Sequence, residues 1–257
     1  MSGVRRPVLM YHGLQENAAQ PGFDPVYNVA PAEFERQLDW LCEHGFRSVR
    51  LHEPATERQD DKTVVISFDD GDATNRSVAL PLLTARGMVA EFFITSDFIG
   101  QPGMVTETDV RALAAAGMGV QSHGRSHRFL EDLDPAELDR ELLESKRRLE
   151  NLTGQPVTAL ALPGGRGGER ERVAASRLGY RQMLTSIPGI NRGATNGDCS
   201  ERIAITRGMG LEEFSDLLRW RGLRPRWIRL RYRLLALPKR LLGNERYQRL
   251  RARLLPG

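Results

Sequence analysis

The sequence predicts an α/β protein built on a parallel sheet, and two observations carry that expectation. Short apolar runs rich in β-branched residues alternate with stretches of helical periodicity along most of the chain, the pattern of strands joined by crossover helices. The chain has 257 residues, the usual size of a barrel of alternating strands and helices. Alternation alone leaves open whether the sheet is doubly wound or closed into a barrel. No GxGxxG or GxxxxGK(S/T) follows the first strand, so nucleotide-binding open sheets lose support.

Taken in order, Val8–Tyr11 reads as the first strand. Pro31–His44 reads as a helix, because Phe34, Leu38 and Leu41 recur at spacings of four and three and Gly45 stops it. Phe46–Leu51 is a second strand candidate and Val64–Phe68 a buried one. Asn75 is placed to cap a helix through Ala85, with Gly87 as its stop. Val89–Thr95 is a strand, Thr108–Ala116 a short helix, and Met118–Ser122 a strand. Pro135–Thr153 is a long helix with Leu138, Leu142, Leu149 and Leu152 on one side. Strands follow at Val157–Leu162, Tyr180–Thr185 and Arg202–Thr206. Helices follow at Glu171–Leu178 and Leu211–Arg219.

The composition, 40% hydrophobic and 27% charged, is that of a globular chain and excludes fibrous and disordered classes. Two cysteines, Cys42 and Cys199, build no disulfide framework and fit a reducing compartment. Pro7–Tyr11 is too short an apolar run for a secretory segment, and no stretch has transmembrane length. The expected location is therefore the cytoplasm. The net charge of +4 conceals a division. From Arg219 onward there are 13 Lys and Arg against one acid, Glu245; the remainder has 24 bases against 32 acids. A +12 tail on a −8 body points to an anionic partner for the tail, or to a tail folded back on its own body.

Three segments carry candidate chemistry, each following an apolar strand. In Ser67-Phe-Asp-Asp-Gly71 two carboxylates end a strand, where catalytic groups collect in parallel α/β folds. Adjacent carboxylates repel unless a cation separates their roles; with a metal, one binds it and the other takes a proton from a metal-bound water. Alone, this segment reads equally well as an Asp-Gly turn. Ser122-His-Gly-Arg-Ser-His127 places two of the five histidines at H-x3-H spacing; imidazoles with a carboxylate suit zinc and similar ions. Alone, they are an ordinary pair of loop histidines. Ala161-Leu-Pro-Gly-Gly-Arg166 is a glycine-rich turn whose N–H groups are able to approach a ligand.

Together, Tyr11-His-Gly, Ser-Phe-Asp69-Asp70-Gly, Ser-His123-x-x-Ser-His127 and Leu-Pro163-Gly-Gly resemble the motifs of the polysaccharide deacetylase family, carbohydrate esterase family 4, over roughly residues 7–218. Glu91–Gly100 also resembles the strand after the family's first motif. The resemblance implies a distorted (β/α) barrel of about seven parallel strands, followed here by a basic helical extension over residues 219–257. It implies a divalent metal, expected to be Zn2+, on Asp70, His123 and His127. Asp69 is then the base, and the N–H of Gly164 a donor to the oxyanion. The implied reaction is removal of N-acetyl groups from an N-acetylated sugar or glycan.

The chain departs from the family pattern in three ways. Ala161 and Gly164 stand where Arg and Tyr are usual, with Arg166 following. No counterpart of Asp-x-x-Asp-Trp is evident. No histidine follows His127, so the usual general acid is absent; His12 is one candidate, although a structural role beside the site fits it better. These departures keep two alternatives in view: the same metal site acting on another N-acyl group such as formyl, and a catalytically weak glycan-binding protein.

In the tail, Trp227, Leu230, Leu234, Leu237 and Leu241 follow spacings of three and four and share one helical face. Arg226, Arg229, Arg231, Arg233 and Arg240 lie largely elsewhere, Pro238 divides the helix in two, and Tyr247, Leu250 and Leu254 continue the pattern. Two readings follow: a basic amphipathic helix on an anionic membrane surface, or a helix packing its apolar face on the barrel. No nucleic-acid motif accompanies the charge, and no nucleic acid is expected as a partner.

Overall fold

A computed structural model describes residues 5–16, 24–53, 62–192 and 199–242. Seven parallel strands form its centre: β1 Val8–Tyr11, β2 Thr63–Phe68, β3 Glu91–Ile94, β4 Gly119–Ser122, β5 Ala159–Ala161, β6 Gln182–Pro188 and β7 Cys199–Ala204. Neighbours run β1-β7-β6-β5-β4-β3-β2, and β2 pairs again with β1, setting Val8 beside Val65 and Tyr11 beside Phe68. That last pairing closes a seven-stranded barrel. Around it lie α1 Pro31–Glu43, α2 Leu80–Ala85, α3 Glu107–Ala115, α4 Pro135–Thr153, α5 Glu169–Arg177, α6 Leu211–Arg219 and α7 Arg224–Leu242.

Strand side chains alternate between two cores, as a pleat requires. Leu9, Tyr11, Ile66, Phe68, Phe92 and Val120 join a cluster with Phe34, Leu38, Leu113 and Leu142 of the helices. Val8, Val65, Phe93, Ala159, Ala161 and Leu184 form a second cluster containing no helical residue, which fills the barrel interior. Phe34 is fully buried on the outer side, edge-on to Tyr11 at 5.1 Å and to Phe68 at 5.6 Å.

Three local expectations are corrected. Within Phe46–Leu51, only Arg47–Ser48 is a strand, beside Thr63–Val64 and outside the ring. Val49 and Leu51 instead turn into the interior cluster. Arg50 Nε and the Leu51 N–H donate to the fully buried Glu91 carboxylate at 2.6 and 3.0 Å, so a charge rather than a strand receives this segment. Asn75 does not cap a helix: it lies in a widened turn over Asn75–Ala79, and its amide donates to the His12 carbonyl at 3.1 Å. Pro238 does not divide the tail, because α7 runs through it to Leu242; a proline deletes one ladder bond, and a helix can continue past it. Tyr247, Leu250 and Leu254 lie outside the described residues.

Truncating Phe34 to alanine opens a cavity between α1 and the closing strand pair and should cost about 3–5 kcal/mol, read as a lowered urea midpoint with unchanged m-value.

Candidate active site

Asp69 and Asp70 follow β2. The Asp69 N–H donates to Tyr11 O at 2.9 Å and prolongs the ladder, so by alternation after Val65 and Ser67 its side chain enters the barrel mouth. A regular strand would send Asp70 outward. Instead its φ is +73°, followed by Gly71 at +92°, a left-handed turn that brings both carboxylates to the same end. The turn is held by the Thr95 N–H on Asp70 O at 3.1 Å and the Val105 N–H on Gly71 O at 2.9 Å.

His123 follows β4 in the same way, its N–H on Ile94 O at 3.0 Å. Its Nδ1 lies 2.9 Å from Ala161 O. A carbonyl only accepts, so Nδ1 carries the proton and Nε2 presents its lone pair to the site. Nε2 lies 3.4 Å from Asp70 Oδ1 and 4.0 Å from Asp69 Oδ2. The loop onward is anchored by Glu141 of α4, whose Oε1 accepts from the Ser126 N–H at 2.6 Å. His127, at φ +63°, then swings its Nε2 to 3.3 Å from Asp70 Oδ1, with its ring against Phe98.

Asp70, His123 and His127 thus converge, each offering one ligand atom within 4.8 Å of the others. Asp70 Oδ1 is buried with no well-aligned hydrogen bond, although two imidazole nitrogens stand near it. A buried anionic oxygen facing two imidazole nitrogens with no good donor between them is the donor set a divalent cation completes, so these residues fit such an ion.

Asp69 is occupied differently. Arg202 of β7, fully buried, grips it with Nη1 on Oδ1 and Nη2 on Oδ2, both at 2.7 Å. A bulge between β6 and β7 turns the Thr185 carbonyl onto Arg202 Nε at 2.8 Å, fixing the guanidinium. Burial pushes the Asp69 pKa up, but Arg202 and then His123 outweigh it and hold the carboxyl below its ordinary value. Burial likewise works to lower His123, and the Asp69 and Asp70 charges raise it above the usual imidazole value. The arginine that sequence motifs left without a match therefore comes from the last strand. Arg166 lies elsewhere, 4.7 Å over the Phe129 ring and paired with Glu131. Its signal in the sequence was an arginine inside the apolar run Arg202–Thr206, since arginine is almost never fully buried unless paired.

His12 stacks on Tyr27 at 4.8 Å, and its Nδ1 is buried without a partner. Burial holds its pKa below the ordinary value against the opposing pull of Asp70 and Asp69. Gly164 sits in the turn Pro163–Gly165 at φ +62°, where a Cβ would come within 2.4 Å of Phe129; only glycine fits.

A carboxylate and two imidazoles converging beside a second, arginine-held carboxylate at the mouth of a β/α barrel define a hydrolase site of the metal-recruiting kind. The sequence profile of polysaccharide deacetylases matches residues 56–183. YxkH of Bacillus subtilis strain 168, named as a polysaccharide deacetylase, is 29% identical over 216 residues, covering 82% of this chain and 75% of YxkH. BA0330 of Bacillus anthracis superposes with a TM-score of 0.76 at 25% identity, over 84% of this chain and 69% of that one. The Streptococcus pyogenes deacetylase PplD, solved with acetate, gives 0.75 at 25% identity, over 84% of this chain and 99% of PplD. The chain belongs to the polysaccharide deacetylase family, carbohydrate esterase family 4. It is accordingly a hydrolase of non-peptide carbon–nitrogen bonds.

Replacing Arg202 with methionine strands a buried carboxylate and should cost about 3–5 kcal/mol at neutral pH. The pH dependence has a definite sign. Because the folded Asp69 pKa is depressed, its stabilising contribution is present above the unfolded-chain value and is lost as pH falls through the folded one. Without Arg202 burial dominates and the folded pKa rises, so protonation on the acid side relieves the buried charge: the deficit in the variant's urea midpoint relative to the native chain should be largest near neutral pH and shrink as pH falls.

Proposed function

We propose that this protein removes N-acetyl groups from an N-acetylated glycan, with Asp69 as the base and Asp70, His123 and His127 holding a Zn2+ or similar ion. One observation carries the reading: a carboxylate pair whose members have opposite commitments, Asp70 turned to two imidazoles and Asp69 held by Arg202. When bound, the divalent ion supplies Lewis acidity, polarising the acyl oxygen and acidifying a water molecule.

The residues do the rest. Asp69, kept ionised by Arg202, takes the proton of the attacking water as its oxygen bonds to the acetyl carbon. The bidentate grip also fixes the carboxylate plane, so the base need not reorient. The Gly164 N–H is assigned to the acyl oxygen as negative charge gathers there; its left-handed turn, closed to any side chain by Phe129, supports that role. The carbon–nitrogen bond then breaks and the nitrogen takes up a proton, leaving acetate and a free amine. His12 is the remaining imidazole in the field of the two aspartates; burial keeps it neutral, so it is assigned not a stored proton but the relay of the one Asp69 takes from water, gaining it at one ring nitrogen and giving one up at the other.

Acetate release from oligomers of N-acetylglucosamine, with elemental analysis of the same preparations, tests the proposal. The native chain should carry a stoichiometric divalent ion and release acetate. His123→Ala should lose both ion and turnover. Asp69→Asn should keep the ion and lose turnover by at least about a hundredfold, at reduced stability because Arg202 loses its anion. Turnover by ion-free protein would refute the mechanism; release of formate but not acetate from matched substrates would move the assignment to another acyl group.

His12→Gln should lower kcat roughly a hundredfold with ion content unchanged. An unaltered kcat would exclude His12 from proton delivery and leave Asp69 to pass the proton to the nitrogen directly.

A further inference from the structure

Helix α7 has two apolar sides. Pro225 is buried, and Ile228 packs against the main core; Arg229 pairs with Glu201 of β7. This side seats the helix against the barrel. The other side is not covered by any described residue. Leu223 is 79% exposed, Trp227 61%, Leu230 48% and Leu234 54%, four of the seven exposed large hydrophobics among the described residues. At about 100° per residue, these four fall on one narrow stripe, roughly opposite Pro225 and Tyr232. Of the two readings of this apolar face, packing on the barrel is not the one that Trp227, Leu230 and Leu234 adopt: they are turned away from it.

Arginines border the stripe. Arg226 and Arg231 lie about 70° to either side of its centre. Both are exposed, and among the described residues no carboxylate pairs with either. Arg224 on the same flank is engaged by Glu213. Scattered exposed leucines need no explanation, but a contiguous apolar stripe rimmed by charge marks a docking surface. No helix among the described residues is long and apolar enough to cross a membrane.

We propose that the outward face of α7 docks on an anionic lipid bilayer, lying in the interface plane with Trp227, Leu230 and Leu234 immersed and Arg226 and Arg231 on the lipid phosphates. Charge complementarity and shape select this occupant. The stripe is convex and narrow, suited to sinking into a soft interface, with tryptophan at the level such surfaces favour. Cations on both flanks reach headgroups to either side. The +12 tail against a −8 body also directs this end of the chain, rather than the barrel, toward a negative surface. On this proposal the enzyme works peripherally at a membrane face; the cytoplasmic side, expected from the sequence, is the anionic one.

Cosedimentation of the full chain with vesicles tests this independently of any deacetylase activity. Binding to vesicles of equal parts phosphatidylcholine and phosphatidylglycerol should exceed binding to phosphatidylcholine alone by at least about tenfold and weaken with salt. The combined variant Trp227→Ser, Leu230→Ser, Leu234→Ser removes only outward side chains; it should keep the native thermal midpoint and lose at least about tenfold in binding. Arg226→Glu with Arg231→Glu should lose the preference for anionic lipid. Native chain and serine variant binding equally would overturn the proposal. So would concentration-dependent self-association, abolished by the serine substitutions, in a chain that ignores vesicles; the face would then belong to a second copy. Binding to double-stranded DNA as tight as to anionic vesicles, and indifferent to the serine substitutions, would reduce the face to a polyanion contact.

Discussion

The pairing of β1 with β2 is the constraint on which the rest of the molecule depends. Without it, seven parallel strands would form an open sheet whose inner face needed a layer of helices. With it, that face becomes a closed interior lined by small and β-branched residues, Val8, Val65, Ala159 and Ala161 among them. Such an interior is apolar, and a charge within it must be paired. Arg202 and Asp69 satisfy that requirement mutually near the mouth, and Glu91 and Arg50 satisfy it elsewhere. Closure also gathers the ends of β2, β4 and β5 into one small circle, so that Asp70, His123 and Ala161 meet without long loops.

Backbone conformation completes what closure begins. Among the described residues, Asp70, His127 and Trp220 are the non-glycine residues with positive φ. Two of the three are in the convergent set. For L residues the left-handed region costs roughly 1–2 kcal/mol, and it persists only where neighbours over-determine it. Those neighbours are identifiable: Thr95 and Val105 bracket Asp70, and Glu141 holds the loop before His127. The strain re-aims side chains that regular geometry would send away, so the donor set is preorganised by the chain itself.

How much of this was legible in the sequence follows from the range of the interactions. The two carboxylates and the histidine pair are local, each a short segment after an apolar run, and they could be read directly. The element order was legible for the same reason, with Pro135–Thr153 and Leu211–Arg219 recovered to the residue. Arg202 was not legible as the partner of Asp69, because the two stand 133 residues apart and only closure brings them together. Phe46–Leu51 was misread because apolar alternation does not distinguish a strand from a segment plugging a barrel end. The orientation of α7 was also hidden: its amphipathic pattern is evident, but which side faces the barrel depends on Pro225, Ile228 and a tertiary pair with Glu201.

Glu201 and Arg202 are consecutive in β7, and consecutive strand residues point to opposite faces. One reaches outward to Arg229 of α7, the other inward to Asp69. A single inserted or deleted residue ahead of this pair would exchange their directions, turning the guanidinium to solvent and burying a lone glutamate. The fixing of the tail and the fixing of the base therefore share one reading frame of side chains along one strand, and a lineage cannot shift either without the other.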